Sequence, residues 1–183
     1  MLQIIVPADI SEEFDERTNE FVYTTIAEEQ PLRLEHSLVS LAQWESKYNK
    51  PFLSKKDKTH EEVLDYIKMM TLDENVDPMV YMRLSAANYR AIHEYIKAPM
   101  TATTFSNNDN KPNRQILTAE IIYHWMIALN IPFECQHWHL NRLLTLVRVC
   151  NLKNAPKKGN KRSSALDYAR LNASRKQKPH KKG

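Results

Sequence analysis

Apolar and polar positions along the first 36 residues follow the short alternations of strands. Leu2-Gln-Ile-Ile-Val6 predicts a strand that Pro7 stops, because proline cannot donate to a ladder. Glu20-Phe-Val-Tyr-Thr-Thr-Ile26 is dense in β-branched and aromatic residues and predicts a second. Pro31-Leu-Arg-Leu-Glu-His36 alternates and predicts a third. The acidic stretch between, Asp9 to Glu20, reads as a loop or one helical turn. Three strands with one apolar face need a cover, and the helices that follow are its natural source.

From Ser37 the period lengthens. Ser37 is placed to cap a helix through about Tyr48, with Pro51 as its stop. Thr59-His-Glu-Glu62 has the form of a capping box and opens a helix with Val63, Tyr66, Ile67 and Met70 on one face. Asp77-Pro78 reads as a cap followed by a proline in the first helical position. Ser85 caps Ala86 to Lys97, whose stripe is Tyr89, Ile92, Tyr95 and Ile96. Pro99 to Phe105 is β-prone and predicted extended, and Ser106 to Asn113 is a polar, turn-rich loop. Thr118 starts an apolar helix over Ala119 to Leu129, broken at Asn130-Ile-Pro132. A last helix is expected from Phe133 or Glu134 to about Asn151, forming a core hairpin with the one before it. The expected class is therefore α+β, mainly α: a small N-terminal β-sheet packed on a helical bundle. The expected organisation is a β-rich segment at 1–36, a helical body at 37–153 and a basic tail at 154–183.

Glycine narrows the function classes. The chain has two, Gly159 and Gly183. Phosphate-cradling loops need glycine for positive φ and close backbone approach, so a body without it carries neither a Walker-type loop nor a dinucleotide fingerprint. No run approaches the roughly 18 apolar residues of a membrane span. Met1 to Asp9 lacks the basic and apolar regions of a signal peptide. Cys135 and Cys150 are too few for a disulfide framework and fit a reducing cytosol.

The net charge of +4 conceals a split. Lys153 to Gly183 holds eleven Lys/Arg against one acid, Asp167, for a net of +10. The remainder is −6, and the first 50 residues, with ten acids and four bases, account for all of that. The tail, with Ala165 to Ala173 as a candidate short helix, has too little apolar surface to offset the entropy of ordering. Its cations are the candidate partner-binding residues: Lys157, Lys158, Lys161, Arg162, Arg170, Arg175, Lys176 and Lys178. Basic arms bind nucleic acid through counterion release and also bind acidic protein surfaces. The single aromatic, Tyr168, is poor for base stacking and favours a protein partner over nucleic acid. Tail-to-body attraction between copies is a route to self-association.

Residues for chemistry are sparse. Cys135-Gln-His137-Trp-His139 is the one cluster resembling a metal site. On a helix Cys135 and His139 share a face and His137 does not, so two ligands converge where a structural zinc needs four. Cys135 with His139 meets half the needs of cysteine catalysis, and a packed cysteine is the plainer reading. Glu12/Glu13, Glu28/Glu29 and Glu61/Glu62 read as solvated or capping groups. Trp44, Trp125 and Trp138 read as core anchors. No catalytic, metal or cofactor site is expected, and the chain reads as a non-enzymatic binding protein.

Three stretches carry a resemblance: Leu34 to Glu45, Ala98 to Phe105, and Trp125 to Cys150 with its Ala-Leu-Asn-Ile-Pro-Phe-Glu-Cys-Gln-His-Trp-His core. Over roughly residues 20 to 156 the chain resembles tail assembly chaperones of long-tailed, siphovirus-type bacteriophages. The resemblance implies a protein of the infected bacterium's cytoplasm, absent from the mature virion. It would bind the tape measure protein, keep its long apolar helices soluble and help recruit the major tail protein. It also implies a second product made by ribosomal frameshifting, for which Lys157-Lys158 and Lys181-Lys182 permit slippery codons. Met69, Met70, Met79 and Met82 are candidates for an adaptable apolar client surface. The alternatives are a nucleic-acid-binding module using the basic tail and a structural tail completion component.

Overall fold

A computed structural model describes residues 1–105 and 116–154 of the chain. Met1–Cys150 form one compact unit. The described part is α+β and mainly helical, as the pattern predicts. The basic tail from Ala155 on, with all eight candidate cations and the candidate helix at Ala165 to Ala173, lies outside the described residues, as does the loop at 106–115.

Strands β1 (Leu2–Val6), β3 (Glu20–Ala27) and β4 (Gln30–Leu34) fall where the alternation places them. The acidic stretch is a correction: Asp9–Asp15 is a strand, β2, and not a loop or a helical turn. It becomes one by pairing antiparallel with β3. The expected single sheet is a second correction, since the four strands form two separate two-stranded pairs, β1–β4 and β2–β3. In the first, Ile4 lies opposite Leu32, and both are buried along with Val6 and Leu34. The free edge of β4 is partly closed by the segment after the second helix. There Glu35 N–H donates to Met70 O at 2.8 Å and Leu72 N–H to Arg33 O at 2.8 Å.

Helices α1 (Leu38–Tyr48), α2 (His60–Met70), α3 (Pro78–Met82) and α4 (Ala86–Lys97) begin at the predicted caps Ser37, Thr59, Asp77 and Ser85. Each cap side chain accepts a first-turn N–H, worth about 1 kcal/mol apiece. α1 ends at Asn49, which turns left-handed at φ 51°, before Pro51 is reached. α5 (Ala119–Ala128) starts at Thr118, whose side chain makes no cap bond. Its substitute comes from α1: Glu45, 7% exposed, accepts Ala119 N–H through Oε2 and Phe52 N–H through Oε1, both at 2.7 Å.

The last expected helix is divided. Phe133–His137 is a 3-10 helix, Trp138 is extended, and α6 runs Leu140–Asn154. The break comes from an isolated bridge between Ser37 and His139, with Leu140 N–H donating to His36 O at 2.7 Å. The core hairpin of the last two helices is also corrected, because α1 is the hub, packing on α2, α5 and the 3-10 helix. Pro99 to Phe105 contains bends and no strand. Around α1 the core gathers Leu38, Leu41, Trp44, Ile67, Met70, Ile122, Met126 and Leu143.

Candidate functional site

The β2–β3 hairpin exposes six large apolar residues, Ile10, Phe14, Phe21, Val22, Tyr23 and Ile26, where the β1–β4 pair exposes one, Ile5. Its register puts Ile10, Glu12 and Phe14 opposite Thr25, Tyr23 and Phe21. Cross-strand partners share a face, so that face is chiefly aromatic and aliphatic. Phe14 and Phe21 meet edge to face with ring centroids 5.1 Å apart. Tyr23 O–H donates to Glu12 Oε1 at 3.1 Å. Yet Phe14 is 49% exposed, Phe21 57% and Tyr23 66%. The other face carries Ser11, Glu13, Asp15, Glu20, Val22 and Thr24. Eight acids and one base, Arg17, lie between Asp9 and Glu29. The tip closes without glycine, on Asn19 at φ 58°.

Arg83 ties the hairpin's base to α3. Its guanidinium donates to Pro7 O at 2.9 Å and Glu28 O at 3.1 Å. In α3, Val80 and Tyr81 are buried, and Tyr81 O–H donates to Thr71 Oγ1 at 3.0 Å. That anchoring turns the flanking methionines outward, Met79 at 64% and Met82 at 69% exposure. Of the four candidate methionines, Met70 is core and Met69 packs against it, so α3 alone presents its pair to solvent.

A groove of about 300 Å³ separates α2 from α4. Its lining is mostly apolar and aromatic, with Val63, Tyr89 and Ile96 among it, and includes the nitrogen-bearing side chains Lys58, His93 and Lys97; Glu62 and Asp57 lie near Lys58. The Lys58 ammonium sits 4.5 Å from the Phe52 ring centroid, and burial pulls its pKa below the usual lysine value. Neither Lys58 nor Lys97 is in an ion pair among the described residues. The neighbouring lysines are occupied: Lys50 pairs with Glu62 at 2.6 Å, and Lys47 and Lys68 both pair with Asp65. Lys47 and the Tyr48 hydroxyl together hold the Asp65 carboxyl down at about 2.

The histidine of the cysteine–histidine cluster has a structural setting. His139 is buried, donates Nε2–H to Tyr95 O at 3.0 Å and accepts Asn141 N–H at Nδ1 at 3.3 Å. An accepting Nδ1 means a neutral ring. His36, also buried, lies 5.1 Å away ring to ring and shares a 2.5 Å hydrogen bond with the Tyr66 hydroxyl. Burial, with His139 alongside, drives the His36 pKa to about 3. Burial likewise lowers that of His139. Cys135 is buried in the 3-10 helix, and burial raises its thiol pKa, opposite to what a nucleophile needs. His137 is exposed and points to solvent, hydrogen-bonding at most to Gln136. Among the described residues no three His, Cys, Asp or Glu side chains gather as a metal site.

Of the paired carboxylates, Glu62 is the capping partner in α2, while Glu12 and Glu13 point to opposite faces of the hairpin. Trp44 is a core anchor, donating Nε1–H to Glu62 O at 2.8 Å. Trp125 and Trp138 are only partly buried, and Arg142 stacks over the Trp138 ring at 4.1 Å. Sequence reasoning missed the hairpin face and the groove. The pair Phe14 and Phe21 on either side of a polar Asp-Glu-Arg-Thr-Asn turn was the available signal for the first. Among the described residues no helix is long and apolar enough to cross a membrane. No family model, curated protein or solved structure matches the chain.

Proposed function

We propose that the protein is a non-enzymatic tail assembly chaperone of a long-tailed bacteriophage. It binds the tape measure protein in the host cytoplasm, helps recruit the major tail protein, and leaves before the virion is complete. The three stretches quoted above support the family reading. The observation that carries the binding role is the exposed methionine pair Met79 and Met82 on a helix anchored through Val80, Tyr81 and Arg83. Methionine is flexible and polarizable, so such a pair adapts to differing apolar surfaces, which a long client of varied sequence requires.

The test is co-expression with the tape measure protein of the same phage. The expected result is a several-fold rise in soluble client and its co-purification, reduced by Met79→Ser with Met82→Ser. Client that is equally insoluble with and without the protein overturns the reading. So does recovery of the protein in purified virions, which assigns a structural role instead.

A further inference from the structure

We propose that the β2–β3 hairpin of one copy of this chain docks into the α2–α4 groove of another, so that copies associate head to tail. The proposal goes beyond the chaperone reading and does not depend on it. Two observations meet here. The hairpin presents Phe14 and Phe21 as an exposed aromatic pair within a stretch of eight acids and one base. The groove offers an apolar lining of Val63, Tyr89 and Ile96 beside Lys58, His93 and Lys97, with no acid in that lining. Aromatic residues carry the largest apolar area per side chain, and a groove of about 300 Å³ suits one of them. The charges are complementary: Glu12 shares the face of the aromatics and Glu13, Asp15 and Glu20 lie beside them on the other face, while Lys58 and Lys97 line the groove, with Glu62 and Asp57 near Lys58.

The same charges argue against other pairings. Two hairpins meeting face to face, or edge to edge, bring acid against acid. A foreign basic segment fits the hairpin but leaves the basic groove without an acid partner, whereas a second copy satisfies both. Because hairpin and groove are different patches, the contact is heterologous. Repetition then gives a closed ring or an open chain, not a two-fold dimer.

Sedimentation velocity of the full chain across a concentration series, at low and high salt, provides the measurement. Wild type is expected to grow in mass with concentration and to weaken several-fold at high salt. Phe14→Ser with Phe21→Ser is expected to abolish growth. Two charge reversals, Glu12→Lys with Glu13→Lys, Glu16→Lys and Glu20→Lys on the hairpin, and Lys58→Glu with Lys97→Glu at the groove, are each expected to weaken association at least tenfold. All eight positions are at least partly exposed, and circular dichroism checks that each variant keeps its helical signal. The decisive step mixes the two reversals in equal amounts, which restores association because each basic patch again faces an acidic one. The proposal is overturned by a wild type of constant mass, by growth that survives both reversals, or by reversals that fail to complement when mixed.

Discussion

The two strand pairs have the same size class and the same antiparallel geometry, but opposite relations to the core. In β1–β4 the inward residues Ile4, Val6, Leu32 and Leu34 are at most 5% exposed. In β2–β3 the apolar residues Ile10, Phe14, Phe21, Val22, Tyr23 and Ile26 are 47% to 66% exposed. An isolated two-stranded hairpin is marginal in water, so this one is held by its base at Arg83 and by its own cross-strand pairs. The contrast teaches that apolar residues in the first pair serve folding. Those in the second contribute little to it and are free to serve contact with another molecule.

The largest expected effect that breaks this comparison is in the buried pair. Leu32→Ala should cost about 2–5 kcal/mol by urea denaturation, through lost burial and the cavity left behind. A loss as small as that of a surface substitution would mean the β1–β4 face is not core. Glu45→Ala should cost about 2–4 kcal/mol, because two buried N–H groups, of Phe52 and Ala119, lose their only acceptor together. Glu45→Gln keeps one acceptor oxygen and should recover part of that loss.

Next comes pH. His36 is neutral when folded down to about pH 3, while in the unfolded chain it takes a proton near 6.5. Below 6.5 the unfolded state therefore binds more protons, and stability falls as pH falls, by up to about 1.4 kcal/mol per unit for this one group. The depressed Asp65 carboxyl acts in a lower window, with its contribution lost between about pH 4 and 2. Melting temperatures should therefore begin to drop near pH 6.5, before any carboxylate titrates. A flat profile between 6.5 and 4.5 would show that His36 and His139 are accessible to protons in the folded state.

Smaller still, Asn49→Ala should cost about 1–2 kcal/mol, since it forces a side chain with no local hydrogen bonding into the left-handed region. Asn49→Gly should be near neutral. The smallest effect on stability sharpens the contrast between the pairs. Phe21→Ala removes the edge-to-face contact with Phe14 and should cost about 0.5–1.5 kcal/mol. A cost like that of Leu32→Ala would show that the hairpin face is part of the folded core after all.

Much of the fold was legible because its signals are local. Ser37, Thr59, Asp77 and Ser85 each accept an N–H two or three residues on, and a capping geometry of that reach is written in adjacent residues. Glycine is scarce, which restricts the loops, and other residues take its usual place. Asn19, Asn49, Asn75 and Asn130 take positive φ where glycine is usual, asparagine being the non-glycine residue that best tolerates it. The candidate site was hardly legible. Exposed apolar residues look like core residues in a sequence, and Phe21 and Leu32 differ only in what the rest of the chain places over them.

By itself the sequence determined the positions of β1, β3, β4 and the first four helices and the split of charge. These depend on neighbours a few residues apart. The tertiary structure decided whatever rests on distant partners. β2, with four acids in seven residues, is a strand because β3 lies beside it. α5 is capped by Glu45 from α1, across 74 residues of chain. The last predicted helix is divided because His139 bridges to Ser37. The hairpin face is open and the apolar groove between α2 and α4 carries Lys58 and Lys97 for the same reason: burial and charge environment belong to contacts in space, which no local pattern records.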